Sequence, residues 1–156
     1  MNESIDEAIL FAKKYLEDLL SFFGLNTDVY ATNDDEVIQL AVPSTHLNGF
    51  LIGQGGENMR SFQYITSTAL KNNDYAYTRV NVDIADYKRQ RADRLREKAE
   101  DWVVKVKETK ETLELEPMNA ADRRIVHQLA AENGLTSESA GEGRERHIVL
   151  RYKEEK

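Results

Sequence analysis

Leu51-Ile52-Gly53-Gln54-Gly55-Gly56-Glu57-Asn58-Met59 is the stretch on which the reading of this chain turns. Two aliphatic residues run into a Gly-x-x-Gly turn, and Met59 is the next large apolar residue. Segments of helical pattern lie on both sides. With so little side chain to shield it, the backbone of such a turn can press its amides against a phosphodiester, helped by the free N–H groups of the helix that follows. That makes Gly53, Gln54, Gly55 and Gly56 a candidate phosphate cradle for a single strand, with Ile52 beside it in an apolar groove for bases. Leu40 and Val42 are the expected strand residues of that groove. A dinucleotide fold would need a strand before the turn and a glycine in place of Asn58, and a P-loop would need Lys-Ser or Lys-Thr after it; neither fits.

Working outward, Ser4 and Glu7 have capping-box spacing, and Ile5, Ile9, Ala12, Leu16, Leu19 and Phe23 recur at threes and fours up to Gly24, which predicts an amphipathic helix. Val29 to Ala31, a turn at Asn33-Asp34-Asp35 and Val37 to Val42 predict a hairpin. A short helix over 45–52, the turn, and a helix from Glu57 to Lys71 with Met59, Phe62, Ile65 and Ala69 inward come next. Tyr77 to Ile84 alternates, with Val80, Val82 and Ile84 on one face. The order is αββααβ, ending near Asp86.

Tyr87 to Thr109 contains no glycine or proline and spaces Ala92, Leu95, Ala99, Trp102 and Val106 by threes and fours, so it predicts a long, stiff connecting helix. A short strand over 112–116, a helix from the cap Asn119 to Glu132, and a hairpin around Gly141-Glu142-Gly143 with its second strand over 147–152 complete the chain. The expected organisation is an α/β (α+β) protein with units at 1–86 and 111–156, joined by a basic helix over 87–110.

The chain of 156 residues has a net charge of −7, which works against indiscriminate attraction to phosphates. The distribution is uneven. Residues 1–43 hold two bases against nine acids, whereas 87–110 hold nine bases against five acids. Lys88, Arg89, Arg91, Arg94 and Lys98 could thus form an electrostatic track, although such a run standing alone is more often a solvated helix face.

A second constellation is Arg123-Arg124-Ile125-Val126-His127. At about 100° per residue, Arg123, Arg124 and His127 share one arc and Ile125 and Leu129 the other. An Arg and a His one turn apart can bracket a phosphate, the Arg by its fork and the His by one ring nitrogen. Spacing alone favours the plainer reading of solvent-facing residues. Tyr75, Tyr77 and Tyr87 at strand ends are read as packing more than base stacking. His46, His127 and His147 lack metal-ligand spacing, no nucleophile elbow exists, and cysteine is absent, so no catalytic centre, metal or other cofactor is expected. With no secretory leader pattern and no long apolar run, a cytoplasmic protein is the default.

With both motifs in view, the chain resembles the bacterial Jag, or SpoIIIJ-associated, proteins, which join a type II KH domain to a domain named for its Arg-xxx-His signature, the R-three-H domain. The resemblance covers nearly the whole chain. It is carried by Leu51-Ile52-Gly53-x-x-Gly56-Glu57, by Phe62-Gln63-Tyr64-Ile65, by Leu113 to Asn119 running into Arg123 and His127, and by Ser139-x-Gly141-Glu142-Gly143 with Arg146. The Leu115-Glu116-Pro117-Met118-Asn119 stretch is the most specific part, and it turns the preference at Arg123 and His127 toward the phosphate site. The resemblance implies non-catalytic binding of single-stranded RNA, or single-stranded DNA, in the cytoplasm. It also implies a small KH-domain protein as partner, and links to cell elongation or division and to a membrane insertase. Family members usually place basic residues inside the glycine turn, where Gln54 and Gly55 stand here. Many also carry an extra N-terminal domain, while this sequence opens on the first KH helix, so roles that depend on that domain are not expected. A protein-interaction scaffold that pairs with another KH protein, and an enzyme acting on nucleic acid, are the rival expectations.

Overall fold

A computed structural model describes residues 4–154. The chain divides into two compact units, Met1–Lys88 and Arg89–Lys156.

The first unit runs α1 (Ile5–Ser21), β1 (Tyr30–Asp34), β2 (Val37–Val42), α2 (Asn48–Ile52), α3 (Glu57–Asn72) and β3 (Val80–Ile84). This is the αββααβ order of a type II KH domain. β2 is the central strand, antiparallel to β1 and parallel to β3. A parallel pair needs a crossover long enough to return the chain, and α2 with α3 supplies it. Val80, Val82 and Ile84 are buried while Asn81 and Asp83 alternate outward, as expected of a strand with one face in the core.

The helices bury faces slightly turned from those expected. α1 buries Ala8, Ala12, Leu16 and Leu20, a row with i+4 spacing whose small members allow close approach, while Ile9 and Leu19 flank the core and Phe23 remains 45% exposed. Ser4 has the extended backbone of an N-cap but its side chain makes no capping bond, so the capping box does not form. The helix ends with Gly24 at φ 78° and Leu25 N–H donating to the Leu20 carbonyl, a glycine-dependent stop. The hairpin turn falls at Asp35-Glu36 rather than over Asn33-Asp34-Asp35, because Asn33 and Asp34 pair with Ile38 and Val37 in the ladder. On α3, Ile65 is 41% exposed and Thr66 takes an interior place, its hydroxyl donating to the Phe62 carbonyl at 2.8 Å. Satisfying that hydroxyl within the helix removes most of the cost of burying it.

The second unit consists of α4 (Tyr87–Thr109), which enters it at Arg89, then β4 (Leu113–Glu114), α5 (Ala120–Glu132), β5 (Thr136–Ala140) and β6 (His147–Arg151). Its antiparallel sheet has the order β4-β6-β5. Ala99, Val103 and Val106 of α4 share a core with Leu115, Val126, Leu129, Ala130, Leu135, Ile148 and Leu150. α4 is therefore a structural wall of this unit as well as the segment that leads into it. Asn119 caps α5, its Oδ1 accepting from the Asp122 amide at 2.9 Å. Asn119→Ala is expected to lower the stability of this unit by about 1 kcal/mol, the usual worth of such a cap, as measured by urea unfolding. Among the described residues, no helix is long and apolar enough to cross a membrane.

Candidate nucleic-acid interface

The glycine turn is built on backbone angles that side chains resist. Gly53 sits at φ 72° and ψ 178°, a region open essentially to glycine alone, and a Cβ there would lie 2.8 Å from the Asn58 side chain and 2.9 Å from its amide. Asn58 in turn donates from Nδ2 to the Phe50 carbonyl at 2.7 Å, tying the end of α2 to the start of α3. Gln54 to Gly56 form a single 3₁₀ turn closed by Gly56 N–H to the Gly53 carbonyl at 3.3 Å. Gly55 has φ 61° with open space where a Cβ would go, whereas at Gly56, φ 81°, a Cβ would press on Tyr87 at 3.2 Å and Arg60 at 3.3 Å. Gln54 and Gly55 are exposed, and their amides stand at the start of the turn with no backbone acceptor among the described residues. Ile52 is half-buried against the first core. Leu40 and Val42 are fully interior and cannot line a groove, so that part of the expected base site is corrected.

The basic residues of the expected track have separate fates. The Lys88 ammonium donates to Asn81 Oδ1, and Asn81 donates onward to Gln39 at 2.6 Å, on the outward side of the first sheet. Partial burial lowers the Lys88 pKa from its usual value, with the nearby Asp83 carboxylate acting against the shift. Arg91 forms a bidentate pair with Asp122 of α5, both bonds 2.7 Å, and Asp122 is buried. Its charge is matched by the buried Asp122 carboxylate, which reduces its part in the expected track although the side chain is partly exposed. Arg94 is exposed and makes no ion pair among the described residues.

The Arg-xxx-His residues are brought together differently from the expected phosphate bracket. Arg123 donates from Nη1 to the Met118 carbonyl at 2.6 Å, which keeps the rest of its fork available. His127 lies between two hydroxyls of β5, Nδ1 at 2.6 Å from Ser137 Oγ and Nε2 at 3.0 Å from Ser139 Oγ. With both ring nitrogens engaged, His127 is a positioning residue that fastens α5 to β5. The Met118 amide donates to the Arg146 carbonyl at 3.2 Å, and Arg146 donates to the Gly141 carbonyl at 2.8 Å. Arg123 and Arg146 are thus braced through one residue. Arg124 is exposed, and the buried face of α5 is Asp122, Val126, Leu129 and Ala130, with Ile125 only half-buried. Ser137, Ser139 and Asp122 did not stand out in the sequence. The x-Ser-x-Ser alternation on one strand face was the available signal for the first two.

The family model for the R-three-H domain matches residues 93–152. The chain is 30% identical over 151 residues to the RNA-binding protein KhpB of Clostridium symbiosum, spanning 96% of this chain and 67% of that protein. It is 29% identical over 158 residues to the RNA-binding protein KhpB of Bacillus subtilis (strain 168), with 97% and 73% covered. Against the RNA-binding protein KhpB of Streptococcus pneumoniae serotype 2 the identity is 23% over 150 residues, with 96% and 45% covered. Fold and signature together define an R-three-H-domain protein with a type II KH unit in front. The chain belongs to the KhpB family, the Jag proteins that its sequence resembles.

Proposed function

We propose that this chain binds single-stranded RNA without transforming it, gripping the sugar-phosphate backbone at the turn Gly53–Gly56 and again beside Arg123. The observation that carries this reading is the pair of exposed residues Gln54 and Gly55, whose amides have no backbone acceptor among the described residues, set before α3 in a turn whose glycines Gly53, Gly55 and Gly56 all have positive φ. Each amide contact to phosphate at such a helix start contributes roughly 0.3–1 kcal/mol. Ile52 supplies an apolar contact for a base next to the turn, and the exposed Arg94 with the exposed Arg124 adds longer-range attraction. The names of the relatives support RNA over DNA as the ligand. The family resemblance adds the cytoplasm as location, a small KH-domain protein as partner, and a functional tie to a membrane insertase.

Titration of a labelled, unstructured oligoribonucleotide by fluorescence polarisation tests this. The expected result is saturable, salt-sensitive binding from which the oligonucleotide is recovered intact; cleavage would make the protein an enzyme. A scaffold reading is favoured by the aromatic surface of the first unit, where Phe22 is 85% and Tyr64 73% exposed and Phe23 packs on the exposed Phe50 at 5.4 Å. That reading predicts no salt-sensitive binding at all.

A further inference from the structure

The glycine turn carries no cation of its own, yet one is delivered to it from α3. Arg60 reaches back over the turn and donates from Nη1 to the Gly55 carbonyl at 2.8 Å, and the same nitrogen lies 3.3 Å from where a Gly56 Cβ would stand. The Gly55 carbonyl is an acceptor that would repel a phosphate oxygen, and Arg60 covers it. The guanidinium has five N–H donors and spends one on the Gly55 carbonyl, leaving the others for a ligand at the turn. Arg60 is exposed and makes no ion pair to an acid among the described residues. A Cβ at Gly56 would crowd this approach, at 3.3 Å from Arg60 and 3.2 Å from Tyr87.

The geometry points to Arg60 as the phosphate-binding cation of the glycine turn, supplying from the first turns of α3 the positive charge that Gln54 and Gly55 do not. Its ligand is a backbone phosphate of the single strand seated on the Gln54 and Gly55 amides. This rests on the proposed RNA-binding function and adds the residue that makes a turn without basic residues competent.

The test is a polarisation titration of the full chain with labelled oligouridylate over a series of salt concentrations. Arg60→Gln is expected to weaken binding about fivefold to tenfold at low salt and to flatten the dependence of log K on log salt by about 0.7, the increment for one phosphate contact on a single strand. Adding Gln54→Lys to Arg60→Gln should restore both the affinity and the slope, which a purely structural role for Arg60 would not allow. An unchanged slope in Arg60→Gln, with binding still weakened by Gly55→Asp, overturns the role of Arg60 and leaves the turn as the site. If neither substitution has any effect, the proposed site at the turn fails as well.

Discussion

Gly55→Asp is expected to weaken binding of unstructured oligoribonucleotides by at least about tenfold, the factor that corresponds to about 1.4 kcal/mol, while the fold persists with a loss of stability of about 1 kcal/mol from the positive φ. The substitution is selective for structural reasons. Gly55 has φ 61°, which aspartate tolerates better than most residues, and nothing lies within 4 Å of the added Cβ. The new carboxylate would stand where the phosphate has to approach, so Coulomb repulsion replaces attraction by the amides. Gly56 is a poor place for the same experiment. A Cβ there would crowd Tyr87 and Arg60 and confuse loss of contact with local rearrangement. Paired titrations and thermal melts of Gly55→Asp separate the two effects, and full affinity in the variant would remove the turn from the binding surface.

Arg91→Ala is expected to destabilise the second unit by about 2–4 kcal/mol, and by more than Asp122→Ala does. Both remove the same bidentate pair, but they leave different groups behind. Asp122 is buried at 7% exposure, so without Arg91 its carboxylate keeps a charge out of water with its main partner gone. Without Asp122, the Arg91 guanidinium, whose side chain is 44% exposed, can turn to solvent. Urea unfolding of both single variants and the double variant measures the asymmetry and the coupling. Equal and small losses would show that the pair adds nothing net. Charge reversal at Arg91 is for this reason unsuitable for probing an RNA track, and Arg94 is the residue to reverse.

Features with local causes were legible from sequence. The bounds of α4 follow from a run without glycine or proline between polar stops, the cap at Asn119 from its spacing to Asp122, and the two faces of β3 from strict alternation. The glycine turn was legible because three glycines within four positions have few structural uses. What escaped depended on partners distant in sequence. Ala8 and Leu20 replace Ile5 and Phe23 on the buried side of α1 because alanine gives the closer approach to the sheet, which hydropathy alone weighs too lightly. Asp122 reads as a first-turn helix residue until Arg91, 31 positions earlier, is found against it. His127 and Arg123 read as free donors until Ser137, Ser139 and the Met118 carbonyl fill their geometry. Arg60 falls one helical turn beyond the loop it serves, and only the left-handed angles of Gly55 and Gly56 turn the loop toward it.

The most direct measurement is an amide-resolved NMR titration of the protein with an unstructured oligoribonucleotide at low ionic strength. The account predicts that the Gln54 and Gly55 amide resonances shift progressively to saturation, and that they fail to do so in Gly55→Asp. Resonances of those two amides that stay in place while the oligonucleotide binds elsewhere on the chain would contradict it.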